Sequence, residues 1–149
     1  MLFAVALIAA EAGVRARRGG ASARESKSEV ERLGRVAHLS ASGADIDDVI
    51  ESVRTEVTHL LLLEDCVYEP GEHGGLPLLG RRGVLEEAEF VAWGEFVLPT
   101  GGIEVPVRGR GHDFGRLVLY AHPSTPASLE KRSVAVALAD ELALTLAAR

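Results

Sequence analysis

The chain has 149 residues, 47% of them hydrophobic, and a formal net charge of −6. That length suggests one domain with appendages, long enough to bury a real core, and the acidic balance argues against general binding to a phosphate backbone. Asn and Gln are absent, which excludes carboxamide chemistry, and the single cysteine, Cys66, excludes an internal disulfide or a Cys-rich zinc site, so a reducing, intracellular setting is the simpler expectation.

Leu2 to Ala10 is a continuous apolar run, followed by Glu11 and then Arg15, Arg17 and Arg18. A spanning helix needs about 20 apolar residues, so this run cannot span alone. Its order, apolar and then Arg-rich, fits the cytoplasmic exit of a membrane helix and is the reverse of a secretory signal. Residues 1–27 are therefore read as a membrane-helix stub with a basic linker, with membrane contact expected through Leu2–Arg18. A leader unrelated to membranes is the other reading.

From Glu29 the pattern turns helical, with Val30, Leu33, Val36 and Ala37 on one side, until Ser40–Ala44 breaks it. A second helix opens at Asp45, a good N-cap, with Asp47 and Asp48 placed to favour its dipole. Ile46, Val49, Ile50, Val53, Val57, Leu60 and Leu61 keep the i, i+3, i+4 spacing of a buried face. Asp65–Glu69 reads as a strand closed by Pro70-Gly71. Leu76–Leu79 and Val84-Leu85 read as a short hairpin across Gly80–Gly83. Glu86–Trp93 fits either a short helix or an extended segment, and Phe96–Leu98 fits a strand.

Ile103, Val105 and Val107 alternate with Glu104, Pro106 and Arg108, a half-buried strand that its proline should confine to a sheet edge or interrupt with a bulge. Leu117–Ala121 is apolar on both faces and should be a central strand. The last helix starts at Ser128 or Leu129, with a stripe of Leu129, Val134, Leu138, Leu142 and Leu146. Val136 and Leu144 lie off that stripe and imply a second partner surface. The expected class is α+β, an antiparallel sheet with helices on one face and a closing C-terminal helix.

Reactive chemistry finds little support in this pattern. Cys66, mid-strand, is read first as a small core residue. His38, His59, His73, His112 and His122 show no i, i+4 pair, so no metal site is expected. The glycines of Gly109–Gly115 precede a strand and not a helix, so they read as a hairpin turn. Arg108, Arg110 and Arg116 around it could hold an anion, with solvated turn charges as the simpler account. No G-x-S-x-G occurs, and no catalytic residue is assigned.

Two groups of residues carry a family resemblance. Asp45–Leu61 followed by Asp65–Glu69, then Val105-Pro-Val107, the Gly109–Phe114 turn, Gly115-Arg-Leu-Val-Leu119 and the closing helix, together resemble a GAF domain over residues 28–149. Glu64–Gly71, the stretch from Leu98 to Val107, and Ala135–Asp140 resemble GAF-like domains found C-terminal to the four-helix membrane domain of KdpD-like bacterial signalling proteins. The resemblance implies a non-catalytic sensor for signal transduction on the cytoplasmic side of the membrane, its 28–149 domain soluble. It also implies a homodimer or a signalling partner protein, and a small-molecule ligand beneath a loop roof. Tyr68, Phe90, Trp93, Phe96 and Glu104 are the ligand-binding positions it suggests, the aromatics suiting an apolar cavity, with ordinary core filling as the simpler account. The alternative is a ligand-free scaffold for protein–protein interaction. No nucleic-acid partner is expected, and the resemblance names no cofactor.

Overall fold

The computed structural model describes residues 24, 27–71, 74–86, 91–92 and 94–149. The chain divides into 1–32 and 33–149. Of the first unit, residues 24 and 27–32 are described, and all are helical. The Leu2–Arg18 segment lies outside the described residues, among which no helix is long and apolar enough to cross a membrane.

The first helix, α1, covers residues 27–41, and 33–41 belong to the second unit with Val36 fully buried. Helix α2 is Ile46–Leu61. The Asp45 side chain caps it by accepting from the Asp47 N–H, and Val49, Val53, Val57, Leu60 and Leu61 form its buried face, as the spacing predicts. It stops at Leu62, which turns left-handed (φ 52°) and donates its N–H to Thr58. The strands are β1 (Leu63–Glu69), β2 (Leu78–Leu79), β3 (Leu85–Glu86), β4 (Val91–Ala92), β5 (Phe96–Val97), β6 (Ile103–Gly109), β7 (His112–Ala121) and β8 (Pro126–Ala127). A single 3₁₀ turn, Arg81–Gly83, links β2 to β3. Helix α3 is Leu129–Ala147, capped by the Ser128 hydroxyl.

The main sheet has the order β1-β7-β6-β2-β3-β4, and β5 pairs with β8 in a separate two-stranded sheet. The expected hairpins form: β6 pairs antiparallel with β7, and β2 with β3. The expectation of an antiparallel sheet throughout is corrected, because β2 runs parallel to β6, with Leu78 beside Glu104. After β1 the chain crosses β7 and β6 and re-enters beyond them in the same direction, and such a crossover produces a parallel neighbour. The fold is α+β around a mixed sheet. The ambiguous Glu86–Trp93 segment contributes β4 at Val91–Ala92, while 87–90 and 93 lie outside the described residues.

Ile103, Val105 and Val107 on β6, Leu117 and Leu119 on β7, and Cys66 on β1 share one core with α2 and α3. Both helices therefore cover the same sheet face. The alternate positions Glu104, Val118 and Arg116 form the second face.

Of the two outcomes expected at Pro106, the bulge forms. Its strand is internal and not an edge, and the extra residue lies opposite it, on β7, where Arg116 pairs with Pro106 but Asp113 pairs with Arg108. The extra residue falls at Phe114–Gly115, and Gly115 takes φ 111°. Pro106 is tolerated because its nitrogen lies on the side of β2, where Glu104 has already donated to Pro77 and β2 ends at Leu79. The bulge brings Gly115 against the end of β1. A Cβ there would stand 2.2 Å from the Glu69 carbonyl oxygen and 2.8 Å from Pro70 Cα.

Gly115→Ala is expected to destabilise the fold by about 3 kcal/mol, combining a left-handed penalty with a backbone collision. Gly111→Ala, also at positive φ but with nothing within 4 Å, should cost only about 1 kcal/mol. Urea unfolding midpoints of the two variants measure the difference, and equal midpoints would contradict it.

Candidate functional site

The N-terminal half of α3 is built around Arg132, which is fully buried. Its Nε donates to the Gly83 carbonyl at 2.6 Å, and Nη1 donates to Gly94 and Ala127 at 2.6 and 2.7 Å. The guanidinium lies 4.3 Å from the centroid of the Phe96 ring. One side chain thus gathers the 3₁₀ turn, the segment before β5, the end of β8 and the β5 aromatic onto α3. Burial pushes its pKa down, an effect that Glu130 partly opposes.

Gly83 makes this approach sterically feasible. A Cβ on it would meet Ser133 N at 2.6 Å and Arg132 C at 2.8 Å. The Ser133 hydroxyl lies 2.9 Å from the Arg82 carbonyl and 2.8 Å from the Leu129 carbonyl, and shares its one proton between them. Arg82 itself sits in the left-handed region (φ 64°, ψ 18°). The turn carrying Arg81 and Arg82 is therefore fastened to α3 from beneath, leaving both side chains exposed above it.

Beside this turn runs a groove with two adjoining lobes, about 460 and 350 Å³. Both lobes are lined by Arg81, Arg108, Val136 and Asp140. The larger adds Arg82, Gly109 and Leu144, and the smaller adds Glu86 and Pro106. Asp140 is exposed along one edge. The atoms crowding its other side raise its carboxyl above the ordinary range, and Arg81 offsets part of that rise. Arg108 is held by Asp113 through Nε at 3.1 Å. The groove combines an apolar wall on α3 with a guanidinium rim, which suits an anionic group attached to an apolar body.

The sequence-suggested ligand positions are not brought together. Glu104 is buried on the second sheet face, where it accepts from Arg116 Nη1. Arg116 also reaches Glu69 at 2.7 Å, so two carboxylates hold this arginine and raise its pKa, Glu69 most. Tyr68 lies in register with Leu117 and Val105, on the helix-covered face, and its hydroxyl donates to the Phe114 carbonyl. Burial raises its pKa, with Asp113 adding to the rise. Phe96 lies under Arg132. Phe90 and Trp93 lie outside the described residues. Of the three arginines around the hairpin turn, Arg116 is held by acids, Arg108 lines the groove, and Arg110 is exposed at the turn itself (φ 52°).

Sequence reasoning missed Arg81, Arg82, Asp140 and Arg132. The first two read as hairpin filler. Arg132, however, falls at i−3 and i−7 from Ala135 and Ala139 on the buried side of α3, and counting polar residues into the helical spacing would have shown its place there.

Cys66 is buried, and its thiol is pushed up to about 12, chiefly by burial, with Arg54 partly offsetting the rise. Arg54 also donates to the Cys66 carbonyl at 2.6 Å, tying α2 to β1. His122 lies 3.3 Å from Glu64, and no group of three or more His, Cys, Asp or Glu suited to a metal occurs among the described residues. His73 lies outside them. No protein-family model, curated protein or solved structure matches the chain.

Arg132→Met is expected to destabilise the protein by about 3–5 kcal/mol, because three inward carbonyls lose their donor. Arg132→Lys should recover only part of the loss, since one ammonium lacks the planar fork that reaches Gly83 and Ala127 together. Chemical unfolding of the three proteins measures this, and wild-type stability in Arg132→Met would refute it.

The Cys66 thiol should resist a disulfide reagent in the native protein and react once it is unfolded. Its folded pKa lies above the unfolded value of 9.0, so its contribution is complete below pH 9 and is lost as pH rises from 9 towards 12. Stability should fall there by up to about 1.4 kcal/mol per pH unit on its account. Cys66→Ala should flatten that part of the pH–stability curve, and an unchanged slope would exclude the effect.

Proposed function

We propose that the chain is a GAF-like regulatory sensor domain that binds a small ligand, dimerises and carries out no bond-making chemistry of its own, serving a membrane signalling protein on its cytoplasmic side. The observation that carries this reading is the order of parts. A capped helix leads into β1, an excursion follows, a Val-Pro-Val strand pairs with a Gly-hydrophobic-Leu strand, and a closing helix lies beside α2 on the same face. The KdpD-like likeness of Glu64–Gly71 and Ala135–Asp140, and the Arg-rich exit after Leu2–Ala10, support the membrane association.

Two local features favour regulation over catalysis. The chain's one thiol is buried and held neutral, and Arg116 and Glu104 neutralise each other. Leu144 supports dimerisation: it is 46% exposed on α3 and borders both the cationic groove and a hollow of about 440 Å³ between α1 and α3. A ligand acts here by binding one of two arrangements better than the other.

A second reading, a ligand-free scaffold for protein interaction, is favoured by the occupation of Tyr68, Phe96 and Glu104 in structural contacts. A thermal-shift screen of metabolites on the full chain, paired with sedimentation equilibrium, separates the two. The sensor reading expects at least one ligand to stabilise the native state, by about 2.7 kcal/mol at 100 times its Kd, and to change the dimer fraction. A melting temperature and mass that respond to nothing in a broad set would leave the scaffold.

A further inference from the structure

We propose that the groove between the Arg81–Gly83 turn and α3 is an anion site that takes the phosphate end of a small phosphate monoester with a compact apolar body. The inference deepens the sensor reading by naming a site and a ligand class, although the binding itself can be measured without that reading.

Three guanidiniums, Arg81, Arg82 and Arg108, line the larger lobe beside Asp140, in a chain whose net charge is −6, and Arg108 is already held by Asp113, so Arg81 and Arg82 carry the local positive charge. Among the described residues, no ion pair engages Arg81 or Arg82. A concentration of positive charge in one concave site of an acidic protein attracts anions to that site in preference to the rest of the surface.

The turn is preorganised: Arg82 keeps a left-handed backbone that costs about 1 kcal/mol at a non-glycine residue. Three contacts hold it there: the Ser133 hydroxyl on its carbonyl, Arg132 Nε on the Gly83 carbonyl, and the Gly80 N–H on the Val84 carbonyl at 2.9 Å. The turn is thus fixed before any ligand arrives, and binding need not order its backbone.

The larger lobe is an open groove of about 460 Å³, a size that small-molecule sites share. Val136 and Leu144 supply an apolar wall from α3. A phosphate monoester presents several oxygens to planar guanidinium forks, which bind it with two parallel hydrogen bonds each when geometry allows. Its organic part then lies along α3. Glu86 lines the smaller lobe, where its carboxylate packs against Gly80. In the larger lobe the ligand must accommodate Asp140, whose carboxyl is raised by burial, a rise that Arg81 partly offsets.

Amide NMR titrations of the full chain with phenyl phosphate and with inorganic phosphate test the proposal. Phenyl phosphate should perturb Arg81–Gly83, Gly109 and the Val136–Leu144 segment saturably, and should bind at least about fivefold more tightly than inorganic phosphate because of the apolar wall. Arg81→Gln and Arg82→Gln should each weaken binding about fivefold or more, whereas Arg110→Gln, outside the groove, should not. Native amide spectra of the variants confirm that they are folded.

Unsaturable shifts, shifts that map elsewhere, or affinity indifferent to Arg81 and Arg82 would overturn the proposal. So would co-sedimentation with phosphatidate-containing vesicles and not with phosphatidylcholine, in the absence of any phenyl phosphate response, since the occupant would then be a lipid surface. Groove binding that leaves the dimer fraction unmoved would uphold the site and count against the sensor reading. A different metabolite stabilising the chain through other residues, with no response here, would do the reverse.

Discussion

A single guanidinium, that of Arg132, sets the constraint on which the α3 side of the fold depends. Taking a cation out of water costs several kcal/mol unless its donors are met. Here they are met by Gly83, Gly94 and Ala127, from three segments far apart in sequence. None of these segments has a long strand to anchor it: β5 and β8 pair over two residues each, and the turn before β3 is a single 3₁₀ step. Their positions follow from what Arg132 requires. The Phe96 face and the close seat of Gly83 on the α3 backbone complete a shell that a neutral residue would leave short of donors.

The other half of the domain is held differently. Its stability lies in the apolar layer between α2, α3 and the β1-β7-β6 strands, which non-directional burial can assemble with any well-filled set of side chains. That explains what the sequence could disclose. The Asp45 cap, the α2 face, the β6 and β7 strands and the start of α3 all follow from local spacing and capping chemistry, and each forms where that chemistry places it. The bulge was also legible near Pro106, but its side was not. A proline forbids one hydrogen bond without saying which partner strand yields, and the collision with Glu69 that makes Gly115 the yielding residue is a contact across 46 positions.

What stayed hidden shares one cause: it depends on partners remote in the chain. The parallel β2–β6 contact depends on where the crossover after β1 lands. Helical spacing can place Arg132 on the buried side of α3, but what it holds there depends on Gly83 and Gly94, 49 and 38 residues away. The groove is assembled from Arg81, Arg108 and Asp140, residues that local pattern assigns to a hairpin turn, a strand end and a helix exterior. Conversely, Tyr68, Phe96 and Glu104 have the chemistry of a binding pocket, yet alternation along the strands sends Tyr68 and Glu104 to opposite sheet faces, and Phe96 belongs to the smaller sheet.

The Arg132 cluster and the arginine-lined groove meet at the Arg81–Gly83 turn. The segment whose backbone carries Arg81 and Arg82 on its outer side receives, on its inner side, the Arg132 and Ser133 contacts that fix the start of α3. Anything that pulls the turn outward must lengthen the bond from Arg132 to Gly83, and the same guanidinium then loses its alignment on Ala127 and Phe96. Packed interiors respond to such a demand by changing between discrete arrangements more readily than by stretching. A load on the outer face of the turn is therefore felt first at the β5–β8 sheet and the first turns of α3. The α2–β1 layer, joined through Arg54, shares its apolar core with α3 and so comes next along that linkage.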